Sequence, residues 1–286
     1  TYYYRIRIKN AGGYSAWSAT QTATTTANST PVVTASSFTG TVNVSFSQNI
    51  IATNVPDSYA IVSGNSLPSG LSLNTTTGAI TGTPTAAGSF TTDVTATKGA
   101  STSTPTTLSF TIAKGAQTIT GLPATQTKTY GDADYTLSAT ASSGLAVTYT
   151  SSNTAVATIT GNTVKVTGAG TSTITAHQVG DANWNVTSDI TQTLTVNQKE
   201  VTITGLVAQN KVYDQTTSAV VTGTPAYSGL VNGESFSVSG TVTWAFADKN
   251  VGAGKTLVQT GNYSSPSGNY TVLQPTLQSA ITKKDI

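Results

Sequence analysis

Residues 109–122 read SFTIAKGAQTITGL, residues 193–206 read TLTVNQKEVTITGL, and residues 279–286 read SAITKKDI. In each stretch, apolar residues at alternate positions lead up to a lysine, and in the first two a second strand-like run follows. Lys114, Lys199 and Lys284 are spaced 85 residues apart (199 − 114 and 284 − 199). A fixed period indicates tandem repeats, and alternation with a period of two indicates β-strands.

The period also predicts the domain boundaries. One further step back from Lys114 reaches residue 29, within the polar stretch TTTANSTP, which has the composition of a linker. The predicted segments are 1–27, 28–115, 116–199 and 200–284, with 285–286 beginning a further repeat. Because AKGAQ and NQKEV leave almost no spare residues between repeats, we expect a stiff, extended arrangement.

Composition favours an all-β fold. Charged residues make up only 8% of the chain, so the surface must be built mostly from hydroxyl and amide groups. Thr and Val are abundant, β-branched and suited to pleated sheets, and no stretch shows the apolar spacing of a helix. Short strand-like runs bounded by Gly, Pro, Asn or Asp recur along the whole length, which is typical of sandwiches and barrels.

Charge and cysteine content exclude several classes of function. The net charge is +2, with Arg5 and Arg7 in the first strand and the lysines scattered from Lys9 to Lys284, so we expect no nucleic-acid partner. The chain has no cysteine, which rules out disulfides and thiolate metal sites. No apolar run is long enough to span a bilayer. Methionine is also absent, even at position 1, so we expect a processed chain or a part of a longer polypeptide.

The first segment, TYYYRIRIKNAGGYSAWS, resembles the F and G strands of a fibronectin type III domain. Alternation predicts that one face of the first strand points inward and the other carries Arg5 and Arg7, beside Trp17. That outer face has two interpretations: an aromatic platform for a ligand, or a structural cation–π ladder. The residues predicted to point inward are Tyr2, Tyr4, Ile6 and Ile8.

Residues 28–115 resemble the immunoglobulin-like, cadherin-related repeats of bacterial surface proteins through LPSGLSLNTTTGAITGTPTAAGSFTTDVTAT. Glycines and prolines in this stretch are expected to set turns. The acids of this repeat are Asp57 and Asp93, so we expect no calcium there. The expected core residues are Leu71, Leu73, Ile80, Phe90 and Val94.

The next two repeats resemble two further families. Residues 116–199 resemble bacterial immunoglobulin-like repeats through KTYGDADYTLSATASSGLAVTYTSSNTAVATITGN. Residues 200–284 resemble the YDG-type repeats of very large secreted proteins through KVYDQTTSAVV, FADKNVGAGK and GNYTV. Here the family's Tyr-Asp-Gly is Tyr213-Asp214-Gln215, so the turn after Asp214 is expected to differ. Together the resemblances imply an array of immunoglobulin-like (Ig-like) β-sandwiches.

No catalytic, cofactor or metal residue can be assigned from the sequence. His177 is the only histidine, which leaves a metal site or a serine–histidine–aspartate triad without partners. DANWN imitates the start of an EF-hand loop at Asp181, Asn183 and Asn185, but Val186 and Gln192 occupy the positions of the required Gly and Glu. Trp184 is therefore expected to cover the end of a sandwich. Asp132 and Asp134 are two carboxylates, which is few for a hard cation.

Three roles remain open. The first is a non-catalytic spacer in the stalk of a large secreted or cell-surface bacterial protein of the adhesin type, whose partners are other repeats of the same chain. The second is a subunit of an extracellular filament or sheath, in which strands pair between copies because few charges protect the sheet edges. The third is a carbohydrate-binding module that stacks a surface polysaccharide on exposed aromatic rings. We expect an extracellular location and no enzymatic activity.

Overall fold

The computed structural model describes residues 2–23 and 29–285, and over these residues the chain is entirely strand, turn and loop. The all-β prediction is confirmed. Within the described part of the chain, no helix exists that could cross a membrane. Residues 24–28, at the predicted 27/28 boundary, lie outside the described residues.

The described residues form two compact units. Unit 1 consists of Thr1–Ala116 together with Gly180–Asn185, and unit 2 consists of Gln117–Val179 and Val186–Ile286. The strands of unit 1 are β1 (Tyr2–Tyr4), β2 (Lys9–Asn10), β3 (Gly13–Tyr14), β4 (Gln21–Ala23), β5 (Ser37–Thr41), β6 (Phe46–Asn49), β7 (Ser58–Ile61), β8 (Leu71–Leu73), β9 (Ala79–Gly82), β10 (Gly88–Lys98), β11 (Ser101–Thr102) and β12 (Thr106–Ala113).

Two sheets enclose the core of unit 1. One sheet has the order β11-β10-β12-β5, with β7 also paired to β10, and the other has the order β6-β9-β8. Strand β12 alternates buried and exposed side chains, as period-2 patterning requires. Phe38, Phe46 and Phe110 meet at ring-centroid distances of 5.4–6.4 Å. Of the predicted core residues, Ile80 and Val94 are fully buried, and Leu71, Leu73 and Phe90 are partly buried against the same cluster.

Residues 2–23 form two small antiparallel pairs, β1 with β4 and β2 with β3. All of their described side chains are exposed. Tyr2, Tyr4, Ile6 and Ile8 were predicted to point into a core, but they are 51–74% exposed, because no second sheet covers them among the described residues.

The strands of unit 2 are more numerous and mostly shorter. They are β13 (Ile119–Thr120), β14 (Thr125–Thr129), β15 (Tyr135–Thr136), β16 (Thr140–Ala141), β17 (Thr148–Ser151), β18 (Ala157–Thr160), β19 (Thr163–Val166), β20 (Gly170–His177), β21 (Ile190–Asn197), β22 (Lys199–Thr204), β23 (Val207–Ala208), β24 (Lys211–Val212), β25 (Val221–Thr222), β26 (Ala226–Ser228), β27 (Thr243–Phe246), β28 (Gly252–Thr260), β29 (Tyr270–Leu273) and β30 (Gln278–Thr282).

Four larger sheets build unit 2. Sheets β14-β21-β20-β17 and β15-β19-β18 come from the third predicted segment, and sheets β26-β22-β29 and β24-β30-β28-β27 from the fourth. The main hydrophobic cluster extends across both segments, because it joins Ile174 and Leu194 to Val201 and Tyr270. A separate cluster around Phe246 and its neighbours fills the rest of the fourth segment.

One strand pairing recurs in the three longer segments. The last long strand of each pairs in parallel with a strand near the start of the same segment: β12 with β5, β21 with β14, and β30 with β24. Since parallel neighbours need long crossover connections, a whole segment lies between the two strands of each pair. The repeated lysine therefore follows the strand that closes each sheet.

Candidate functional site

His177 is the last residue of β20 and is paired with an acid. Its Nδ1 contacts Oδ1 of Asp189, and both side chains are about 40% exposed. The histidine at this strand end is therefore partly exposed and has an acidic partner. The partner Asp189 was missed, because nothing in the sequence shows that residue 189 lies across the loop from residue 177.

The EF-hand-like stretch DANWN belongs to unit 1, where it forms a turn and contacts the rest of that unit. Oδ1 of Asp181 accepts the backbone N–H groups of Asn183 at 2.7 Å and Trp184 at 2.8 Å, so this oxygen closes an Asx turn. Oδ1 of Asn183 accepts the N–H of Ala87 at 2.9 Å. The Trp184 ring packs against the hydrophobic cluster of unit 1, and a Cβ on Gly115 would come within 2.7 Å of it.

The other acidic pair is also engaged locally. Oδ2 of Asp132 accepts the backbone N–H of Thr129 at 2.9 Å, while Asp134 lies on the exposed surface. Over residues 2–23 and 29–285, no group of three His, Asp or Glu side chains lies close enough together to hold a metal ion.

A cation–π ladder forms on the first segment. The Arg7 guanidinium carbon lies 3.9 Å from the centroid of the Tyr14 ring and 4.5 Å from that of Trp17. Lys9 adds a contact to Tyr14 at 5.4 Å, and Nε of Arg5 donates to the Thr20 hydroxyl at 2.6 Å. Arg7 thus lies over one face of each ring, while Tyr14 and Trp17 remain 55% and 54% exposed.

An ion pair between Lys211 and Asp214 holds the turn that contains Tyr213-Asp214-Gln215, and we call such a lysine–aspartate pair across a turn a staple. Its Nζ lies 2.6 Å from Oδ1 of Asp214, and that oxygen also accepts the N–H and hydroxyl of Thr216 at 2.9 Å. The hydrogen bond from Lys211 and those from Thr216 lower the pKa of Asp214 to about 2. Gln215 has a φ of 71°, in the left-handed region that glycine enters more easily, so the turn accommodates a side chain there.

A second lysine–aspartate staple lies in the same segment. Lys255 Nζ contacts Oδ1 of Asp248 and donates to the carbonyl of Asn250 at 2.9 Å. The hydrogen bond from Lys255 lowers the pKa of Asp248. In unit 1, Lys98 lies 3.4 Å from Asp57, whose pKa is lowered mainly by the backbone N–H of Gly99. These pairs fix loops rather than line a cleft.

Glu234 lies between two tyrosines in unit 2. Its Oε1 accepts the phenol hydroxyl of Tyr130 at 2.8 Å, and its Oε2 accepts that of Tyr270. The two rings meet edge to face, with centroids 5.5 Å apart at 90°. Burial, reinforced by the Glu234 carboxylate, raises the pKa of Tyr270 to about 12 and also raises that of Tyr130.

A tight turn presents Glu234 to these two tyrosines. The Glu234 N–H donates to the Val231 carbonyl at 3.0 Å, and the two residues between them, Asn232 and Gly233, have φ values of 56° and 70°. Positive φ at both central residues is the property of a type I′ turn, for which Asn-Gly is the preferred sequence. The Asn-Gly pair was therefore a readable signal for the turn, but the sequence offered none for the tyrosines that it reaches.

The remaining clefts and aromatic rings do not converge on one site. An open cleft of about 290 Å³ is lined by Asn65, Ser66, Ser69 and Phe90. Trp17 and Trp184 belong to unit 1, and Trp244 is partly buried in unit 2. A polysaccharide surface stays a prediction.

Comparisons by sequence identify two family models. A model described as "Putative Ig domain" matches residues 11–113, and its range begins inside the segment that resembles a fibronectin hairpin. A YDG domain model matches residues 197–278. No curated protein matches the chain by sequence.

Solved structures that match the chain include several cadherin ectodomains. Drosophila N-cadherin EC1-3 is 9% identical with a TM-score of 0.37, and the alignment covers 88% of this chain and 99% of that one. Mouse cadherin-23 EC22-24 is 12% identical with a TM-score of 0.30, covering 90% and 99%. An endo-fucoidan hydrolase of glycoside hydrolase family 107 is 14% identical with a TM-score of 0.22, covering 56% and 32%. By its strands and family matches, the chain has an all-β fold of Ig-like β-sandwich domains, in which residues 11–113 are similar to the Ig domain model and residues 197–278 to the YDG domain model.

Proposed function

We propose that the chain is a non-catalytic structural spacer in a large secreted or cell-surface bacterial protein of the adhesin type. Ig-like domains in series support this role, since each adds length and a surface without needing a reaction centre. The fibronectin-type hairpin and the bacterial Ig-like repeat in residues 116–199 belong to the same proposal.

One observation carries the proposal. In the described residues, every buried side-chain nitrogen or oxygen atom has a hydrogen-bond partner. Catalytic and ligand sites often hold polar groups whose partners are supplied by the substrate, so unsatisfied buried groups are where such sites are sought. In this chain the polar groups instead hold turns and strands together, as the Asp181, Asp214 and Glu234 carboxylates do.

Replacement of the segment within its parent protein tests the role. Peptides released by brief protease treatment of intact producing cells would first identify the parent polypeptide and its surface location. Residues 30–284 would then be replaced by an unrelated Ig-like array of equal length, or deleted. A spacer predicts that attachment survives replacement and is lost on deletion. Loss of attachment in both variants would show that the surface itself binds, and would overturn the proposal.

The second candidate role is a filament subunit. The observation that favours it is the two-stranded β1–β4 sheet, whose side chains are all exposed and whose outer edges have no partner strand among the described residues. Two-stranded sheets are marginal in water, so pairing with another copy would stabilise them. Electron microscopy of the native material at high concentration should show fibres, and monodisperse particles would contradict this role.

A further inference from the structure

We infer that the third and fourth predicted segments, 116–199 and 200–284, unfold as one mechanical unit because Glu234 joins them. The carboxylate belongs to the fourth segment and accepts hydroxyl hydrogens from Tyr130 of the third and Tyr270 of its own. Removal of the fourth segment would leave the buried Tyr130 phenol without the carboxylate, and removal of the third would leave Oε1 of the half-buried Glu234 without this donor. Such unpaired groups are costly in a protein interior.

Packing at the junction is as close as within a single domain. Tyr130 is 4% exposed and Tyr270 is 0% exposed, and both lie in the hydrophobic cluster that contains Ile174 and Leu194. A Cβ on Gly131 would lie 2.6 Å from the Val231 side chain, so that side chain already occupies the available space. The main hydrophobic cluster of unit 2 therefore includes buried side chains of both segments.

Backbone groups at the junction are also paired across it. Oδ1 of Asn269 accepts the N–H of Ala169 at 2.8 Å, and the carbonyl of Asn269 accepts the N–H of Lys199 at 2.9 Å. Within the fourth segment, the Tyr270 oxygen accepts the N–H of Val231 at 3.1 Å, and the Tyr270 hydroxyl donates to Glu234, the residue that Tyr130 also contacts. One turn and one asparagine therefore satisfy groups of both segments, which ties the folding of each to the other.

Cooperative unfolding follows from this arrangement. When pulling opens the junction, the exposed faces of both segments lose their partners at the same moment. The second segment then bears the load without the contacts that stabilised it, so it opens with the first. This coupling would hold whether or not the chain serves as a spacer.

Single-molecule stretching of the whole chain tests the inference. The chain has no cysteine, so a cysteine added at each end gives a unique attachment for the force probe. Residues 117–284 should lengthen in one event that releases about 550–600 Å of extended chain. Two separate events of about half that length in the unaltered chain would overturn the inference.

Variants test the part played by Glu234. Glu234→Gln and Tyr130→Phe should split the single event in two, and the fraction of single events should fall about tenfold, as expected for a lost hydrogen bond to a charged group. The matched controls are Glu200→Gln, which alters an exposed glutamate on β22, and Tyr149→Phe, whose hydroxyl bonds to Ala139 within the third segment. Single events that persist unchanged in both junction variants would contradict the role of Glu234.

Discussion

Gly70 and Gly82 lie backbone against backbone, because a Cβ on Gly82 would sit 2.1 Å from the carbonyl oxygen of Gly70. That same oxygen accepts the N–H of Thr83 at 3.0 Å. The contact joins the turn before β8 to the end of β9.

We predict that Gly70→Ala destabilises unit 1 more than Gly64→Ala does. Both glycines have nearly the same φ, 88° and 86°, but a Cβ on Gly70 would lie 2.0 Å from Thr83 O, whereas Gly64 has open space. The left-handed backbone alone should cost about 1–2 kcal/mol at Gly64. The added clash should bring the loss at Gly70 to about 3 kcal/mol or more. Hydrogen exchange of the β12 amides at increasing denaturant concentration measures the free energy of unfolding of unit 1 in each variant. Equal losses of stability in the two variants would contradict the predicted clash.

We predict that Trp184→Ala lowers the stability of unit 1, although residue 184 lies far along the sequence from the rest of that unit. The ring packs on the cluster that contains Phe38 and Phe110, so its removal should cost about 2 kcal/mol. Trp17→Ala is the control, since its exposed ring contacts Arg7 and its loss should cost at most about 1 kcal/mol. We expect amide hydrogen exchange in β12 to be slower in the Trp17 variant than in the Trp184 variant.

Acid should weaken the turn at Asp214. Because its pKa in the folded chain is lowered from 3.8 to about 2, its stabilising effect is complete above pH 3.8 and is lost as the pH falls towards 2. NMR titration of the carboxyl carbon should give the low value, and Lys211→Ala should raise it. Lys255→Ala, which removes the staple at Asp248, should leave the Asp214 titration unchanged. A midpoint near 3.8 in the unaltered protein would show that the staple does not form in solution.

Alkali should weaken unit 2 at the Glu234 junction. The pKa of Tyr270 is raised from 10 to about 12, so the folded state holds this proton more tightly than the unfolded state. The resulting stability is complete below pH 10 and is lost as the pH rises through about 12. Unfolding monitored by circular dichroism across this range should show the loss. In Tyr270→Phe the pH-dependent part should shrink, and an identical profile in both proteins would contradict the assignment.

The strands and turns of unit 1 were largely readable from local sequence. Alternation located β10 and β12, and the buried positions of Ile80 and Val94 followed from it. Such patterns suffice because a strand buries one face whatever its partner is.

Contacts between residues that lie far apart in the sequence could not be predicted from local patterns. Tyr130 and Glu234 are 104 positions apart, and Trp184 leaves the segment that surrounds it in sequence to pack on another core. Nothing in the local sequence distinguishes a half-buried Glu at a turn, such as Glu234, from an exposed one. The prediction that one face of the first strand points into a core was wrong for a related reason. Alternation predicts which residues share a face, but not whether another sheet covers that face.

The Glu234 junction limits how the number of repeats in this chain can change during evolution. Recombination between similar repeats adds or removes one copy at a time, and it preserves folding when each copy is self-sufficient. Here, a copy inserted between Tyr130 and Glu234 would separate the donor from the acceptor and expose the apolar faces of both neighbours. Selection should therefore retain recombination events that duplicate or delete these two segments as a pair. The number of repeats after residue 116 should then vary in steps of two.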